Sequence, residues 1–318
     1  MGDDYSDDSD NEALPAPVLH SLAAGDGWLL RVWDYWTGSA NSRPGEGPRE
    51  VVIIGHAMLA DSRTLARPDR PSLASVLVEA GFRVLVPDLR GHGQSGPCPR
   101  DGGDWVLDDI VEDIGVYVDL ARSLEPQRPI ALVGHSLFGL ASLAWIGQNP
   151  DPKVRAVAAV TCDIWNHRFE PSRLFWWLKL ALYLFTVLIT KIVGYLPARA
   201  LRVGSADGSA GYWMQAWSWI LRNRWCSRDG SVDYWANLER IRVPFLHMLS
   251  EGDRLYARPP SAARMSARIP TRELVVLGRD DAPGDLARLR PGHMAVVTDV
   301  GNKLAWHWLA GWLLRALS

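Results

Sequence analysis

Seven short apolar runs, rich in β-branched residues, alternate along the chain with segments of helical periodicity. The runs are Trp28–Trp36, Val51–Ala57, Arg83–Leu89, Pro129–His135, Ala156–Cys162, Pro244–Ser250 and Arg272–Leu277. Between them fall SLASVLVEAG, DWVLDDIVEDIGVYVDLARSL, LASLAWIGQN, PSAARMSARI and the closing KLAWHWLAGWLLRAL. Such alternation predicts a mostly parallel sheet with helices on both faces, because parallel neighbours need a crossover and both sheet faces must be covered. In sheets of that kind ligands bind at the carboxyl ends of the strands. The alternation breaks once, over residues 163–240, where helix-like sequence replaces the next strand and half of the sixteen tryptophans gather.

Composition narrows the function. A hydrophobic content of 47% over 318 residues supports a large core, and a net charge of -2 offers no basic field for nucleic acid. Cys98, Cys162 and Cys226 are odd in number and lack a C-x-x-C pair, which suggests a reducing, cytoplasmic setting and no disulfide framework. The first residues, MGDDYSDDSDNE, are too acidic and too poor in apolar groups to pack, so residues 1–20 are expected to be a disordered tail. No basic segment followed by an apolar one suggests a secretory leader. No His/Asp/Glu cluster has metal-ligand spacing, and neither metal nor cofactor is expected.

Four short motifs sit at strand ends. GHAM (Gly55–Met58) follows the second run, DLRGHGQSG (Asp88–Gly96) the third and GHSLFG (Gly134–Gly139) the fourth. The fourth motif is split between SEGDRL, with Asp253, and RPGHMA, with His293. Together they resemble the α/β-hydrolase superfamily, closest to the group of monoacylglycerol lipases and S33 serine peptidases, over the chain from about residue 28 onward. The resemblance implies an α/β core (21–162 and 241–318) with a helical, tryptophan-rich lid (163–240). It implies a triad of Ser136, Asp253 and His293, in the chain order this fold uses, and an oxyanion hole from the N–H groups of Met58 and Leu137. Asp163, also at a strand end, is the one rival for the acid. The residue types suit the chemistry. A serine hydroxyl needs a base within hydrogen-bond reach, imidazole can take and return that proton, and a carboxylate fixes the imidazole's tautomer.

GHSLFG departs from G-x-S-x-G at Phe138. The residues two before and two after the nucleophile are expected to approach each other, so either this ring finds a pocket beside Gly139 or the turn is broken. A broken turn leaves a dead hydrolase that binds a hydrophobic ligand. His56 and His135 are expected to be structural, and Asp108, Asp109 and Asp113 to form a solvated acidic face.

In the lid, RLFWWLKLALYLFTVLITKIVGYLP is nearly uncharged, yet Ser172, Lys179, Tyr183, Thr186 and Thr190 fall on one stripe at helical spacing. This reads as an amphipathic helix packed on the core or touching a lipid interface. A single crossing is excluded because it would separate Ser136 from Asp253 and His293. Trp176, Trp213 and Trp217 are expected to line an apolar pocket. The expectation is a serine hydrolase that cleaves small-molecule carboxylic esters of apolar or medium-chain acyl groups through an acyl-enzyme on Ser136. A proline-iminopeptidase-like S33 peptidase or an acyltransferase is the alternative. The lid acids Glu170, Asp207, Asp229, Asp233 and Glu239 are the groups an aminopeptidase would use.

Overall fold

The computed structural model describes residues 14–37 and 50–318. Its eight strands are β1 (Val18–Ala23), β2 (Leu29–Tyr35), β3 (Val51–Gly55), β4 (Arg83–Asp88), β5 (Ile130–His135), β6 (Val154–Val160), β7 (Phe245–Ser250) and β8 (Arg272–Leu277). They form one sheet in the order β1-β2-β4-β3-β5-β6-β7-β8, antiparallel where β2 meets β1 and β4 and parallel at every other pairing. The helices are α1 (Leu73–Glu79), α2 (Leu107–Leu124), α3 (Leu137–Gln148), α4 (Arg173–Val193), α5 (Ala210–Arg222), α6 (Tyr234–Asn237), α7 (Pro259–Met265), α8 (Ala295–Thr298) and α9 (Lys303–Leu317).

Strand periodicity divides the core in two. Val51, Ile53, Ile130 and Leu132 face α2 and α3, while Val52, Ile54, Ala131 and Val133 face α1 and α9. All seven expected strands are present. β1 was not anticipated: Val18–Ala23 pairs with β2 at the sheet edge, and Leu14 is buried, so the segment expected to be disordered through residue 20 is ordered from residue 14. The acidic stretch before it lies outside the described residues.

The three aspartates of α2 do not form a solvated face. Asp113 is buried and accepts from Nε and Nη2 of Arg90 at 2.7 and 2.6 Å. Asp109 accepts from the Val106 N–H at 2.7 Å and caps the helix start. Asp108 accepts from Gln215 Nε2 at 2.6 Å and from the Tyr234 hydroxyl at 2.7 Å, tying α5 and α6 to the core.

The insertion between β6 and β7 carries α4, α5 and α6. Helix α4 packs the reverse of what an apolar run suggests. Its buried residues are Lys179, Tyr183, Val187 and Thr190, most of them from the polar stripe. Outward lie Leu174, Trp177, Phe185, Leu188 and Ile192, among others. The cause is charge pairing: Lys179 Nζ, with no exposed surface, sits 3.2 Å from Asp163 and 3.1 Å from Glu170, and Arg258 also pairs with Glu170. A buried ammonium is tolerated only with such partners. Among the described residues α4 alone is long and apolar enough to cross a membrane, but β6 and β7 on either side of the insertion are neighbours in one sheet.

The turn from β5 into α3 shows how Phe138 is accommodated. A Cβ on Gly134 would lie 2.2 Å from the Gly139 nitrogen, so the close approach is to the third residue after Ser136, and Gly139 meets it. Phe138 is therefore free to point away. Its ring is fully buried, stacks on Tyr117 at 6.4 Å between centroids and occupies the space over Gly55, where a Cβ would lie 1.9 Å from it. The pocket expected beside Gly139 is thus the one left by Gly55 on β3. Phe138→Ala should cost about 3–5 kcal/mol in denaturant unfolding, as other large core truncations do. Gly55→Ala should destabilise the wild type but far less the Phe138→Ala chain, a coupling that a double-mutant cycle reads directly. Additive effects would contradict this packing.

Candidate active site

Ser136 follows β5 and precedes the first turn of α3 with φ 52° and ψ -109°, a left-handed conformation rare for a residue with a side chain. Such strain costs of order 1–3 kcal/mol and persists only where surrounding structure imposes it. Here the strand fixes one side through the Ser136 N–H, which donates to the Val160 carbonyl at 3.0 Å. The helix fixes the other through the Leu140 N–H, which donates to the Ser136 carbonyl at 3.1 Å. The Cys162 thiol lies beneath, donating to the same carbonyl at 3.1 Å, and burial pushes its pKa far up, so it is an inert packing group. Leu137 opens α3, and its N–H belongs to the first turn, which has no acceptor within the helix.

The loop after β7 holds Asp253 in a ring of donors. Its carboxylate accepts from the Tyr256 N–H at 2.9 Å, from the Ala257 N–H at 3.0 Å and from His293 Nδ1 at 2.6 Å. The His293 loop is anchored to the ends of two strands: the Ser250 hydroxyl at the end of β7 donates to the Pro291 carbonyl at 2.7 Å, and His135 Nε2 at the end of β5 donates to the His293 carbonyl at 3.0 Å. The His293 ring packs on Tyr256, 4.9 Å between centroids. The loops carrying Ser136, Asp253 and His293 are thus fastened together at one end of the sheet. Asp163 instead faces Lys179. Burial pushes it up to about 6 against the pull of that ammonium.

The loop after β3 is held by neutral imidazoles. His56 Nε2 accepts from the Leu89 N–H at 3.0 Å, leaving Nδ1–H to donate to the Ala57 carbonyl at 2.7 Å. His92 accepts from the Leu59 N–H at 3.4 Å and donates to the Arg90 carbonyl at 2.9 Å. Burial lowers the pKa of His56, and together with the neighbouring His56 it brings His92 down to about 3. Burial also lowers His135 well below its ordinary value. These rings work as fixed hydrogen-bonding spacers, and His56 and His135 occupy structural places.

A cavity of about 100 Å³ opens beside Ser136, lined by Met58, Leu137, Leu140, Asp163, Ile164, Trp165, Tyr183, Tyr212, Trp213, Trp219 and Tyr256. Trp213 lines the cavity, as do Met58 and Leu137, the two residues expected to supply oxyanion donors. Trp217 is not among the lining residues and packs part-buried against the core, and Trp176 lies against His167 at 5.7 Å between centroids. Trp165, Tyr183, Tyr212, Trp219 and Tyr256 take their place. Helix periodicity bore only on Tyr183 in α4 and on Tyr212 and Trp219 in α5, and it does not say which face turns inward; Trp165 and Tyr256 lie outside helices and carried no such signal.

The chain matches the model of the family described as serine aminopeptidase, S33 over residues 46–277. It is 31% identical to the monoacylglycerol lipase of Mycolicibacterium smegmatis over 131 residues, 41% of this chain and 42% of that lipase. It is 29% identical to the monoglyceride lipase of Mus musculus over 140 residues, 43% of this chain and 41% of that lipase. The matches thus span about two fifths of the length of these curated relatives. In fold, an esterase from Exiguobacterium antarcticum superposes with a TM-score of 0.62 at 17% identity, covering 93% of this chain and 100% of the esterase. With the ordered loops at one end of a mostly parallel sheet and a family match over well more than half of the chain, this protein belongs to the S33 serine aminopeptidase family of α/β-hydrolase fold.

Proposed function

We propose that the protein is a serine hydrolase that cleaves carboxylic esters of apolar acyl groups. Ser136 is the nucleophile, His293 the general base, and Asp253 the carboxylate that orients it. In this reading Ser136 Oγ attacks the ester carbonyl carbon as His293 Nε2 takes its proton. The oxyanion of the tetrahedral intermediate is met by the N–H groups of Met58 and Leu137, each worth about 3–4 kcal/mol to such a step. Collapse breaks the bond to the alcohol, which leaves with the proton from His293, and a water then releases the acid from the acyl-enzyme by the same steps in reverse.

One observation carries the ester reading over the peptidase reading: apart from Ser136 and Asp163, whose carboxylate is paired with Lys179, the wall of the cavity is apolar and aromatic, and the insertion's other acids are engaged elsewhere. Glu170 pairs with Lys179 and Arg258, Asp233 with Arg224 and Glu239 with Arg268. Asp207 accepts from the Arg199 N–H, and Asp229 accepts from Ser227 and Ser231. None of these five lines the cavity, so none is placed to hold a substrate's free amine. The monoacylglycerol lipase relatives agree with this choice. The insertion serves as a lid over the site, its outer surface meets the lipid phase, and the free cysteines suit a reducing compartment such as the cytoplasm.

Steady-state kinetics on a soluble ester test the assignment. Ser136→Ala and His293→Ala should each lower kcat by about 10⁴-fold or more with folding intact. Asp253→Asn should be crippling and Asp163→Asn should not. The opposite order would move the acid to the end of β6. Acyl selectivity gives an independent reading. Each methylene that enters the cavity should add up to about 0.8 kcal/mol of transition-state binding, roughly fourfold in kcat/KM, until the space is filled. A p-nitrophenyl ester series should therefore rise and level off. Trp213→Ala should shift the plateau to longer chains, while Trp217→Ala, outside the cavity, should leave the profile unchanged. A flat profile in all three proteins would reject the acyl pocket.

A further inference from the structure

We propose that the outward face of α4 lies flat on the surface of an anionic phospholipid bilayer. Helix α4 is inverted for a helix in water. Leu174 is 76% exposed, Phe185 58%, Leu188 58% and Ile192 75%, with Trp177, Leu178 and Leu184 beside them. At the helical repeat these residues share one side, opposite the buried Lys179, Tyr183, Val187 and Thr190. From Leu174 to Ile192 the stripe runs about 27 Å at 1.5 Å per residue. A contiguous apolar face of this length on a water-soluble surface marks a docking site.

Charge selects the occupant. From Pro171 to Ala206 the sequence contains no aspartate or glutamate, although the whole chain carries a net charge of -2. The exposed cations of this stretch are Arg173, Lys191, Arg199 and Arg202. Arg173 and Lys191 stand five turns apart at the same angular position and border one edge of the stripe, one at each end of the helix. An apolar stripe edged by long cationic side chains suits the boundary between acyl chains and phosphates, where the stems lie in the apolar layer and the charged heads reach the headgroups. A second copy of the chain suits it poorly. Two such faces related by a two-fold axis would set arginine and lysine against each other with no acid to separate them.

This docking deepens the lipid-ester reading of the site and rests on it for its purpose. The inward face of α4 contributes Tyr183 to the cavity wall beside Ser136. Seated on a bilayer, the helix would separate that cavity from the lipid by one helix diameter, about 10 Å.

Co-sedimentation of the full chain with vesicles tests the proposal, using pure phosphatidylcholine and an equimolar mixture with phosphatidylglycerol. Wild type should bind the mixed vesicles and bind the neutral ones weakly. The triple variant Leu184→Gln, Phe185→Gln, Leu188→Gln should lose at least about tenfold in affinity. The pair Arg173→Gln, Lys191→Gln should lose the preference for anionic lipid. Neither set touches the cavity, and hydrolysis of a short soluble ester without lipid should be unchanged. Wild type that stays in solution with both vesicles, or a triple variant that binds as wild type does, overturns the proposal. So does a wild-type dimer, seen by light scattering, that the triple variant dissociates, because that outcome assigns the face to a second copy. Vesicle binding without turnover rejects the hydrolase reading alone, and turnover of soluble esters without vesicle binding rejects the docking alone.

Discussion

The backbones of Gly134 and Gly139 touch, and the site depends on that contact. Without it β5 could not turn so sharply into α3, and Ser136 would not be held at a positive φ of 52° directly before the first turn of the helix. The contact needs no side chain on either residue, and it leaves the position between Leu137 and Gly139 free. Phe138 uses that freedom and packs its ring over Gly55, which joins the turn to the strand whose loop carries Met58. Two of the groups proposed to stabilise negative charge are thus linked through one buried aromatic ring.

The histidines around the site differ in what they meet. Buried histidines are kept neutral and serve as rigid ties: His56 and His92 hold the loop after β3, and His135 holds the loop of His293. His247, brought down to about 3 chiefly by burial, ties β7 to the Cys162 carbonyl at 3.1 Å. His293 differs in its partner, since a carboxylate meets its Nδ1 at 2.6 Å. The Lys179 ion pairs do other work. They orient α4 with its polar stripe inward, and so decide what the outer surface of the protein offers.

Much of this was legible in the sequence because it is local. The strands announce themselves by short β-branched runs, and the four motifs fall at their ends for the reason that this class of sheet binds ligands there. What was not legible depends on distant partners. β1, VLHSLA, has apolar residues but no regular alternation of apolar and polar ones, and as an edge strand it leaves Val18 and Leu19 in water. Helical spacing shows that Lys179, Tyr183 and Thr190 share a face, but only Asp163 and Glu170 make that face the inner one. The space for Phe138 comes from Gly55, and nothing near residue 138 in the sequence discloses it. The same reason explains the exchange of Trp176 and Trp217 for Trp165, Tyr183 and Tyr256 in the cavity wall.

The central claim is that this turn holds a serine made nucleophilic by the His293–Asp253 pair. It is tested most directly by exposing the folded protein to a fluorophosphonate probe and locating the adduct by peptide mass spectrometry. The account predicts one phosphonylated residue, Ser136, with labelling slowed by orders of magnitude in His293→Ala. An unlabelled wild type, or equal labelling with and without the imidazole, would contradict it.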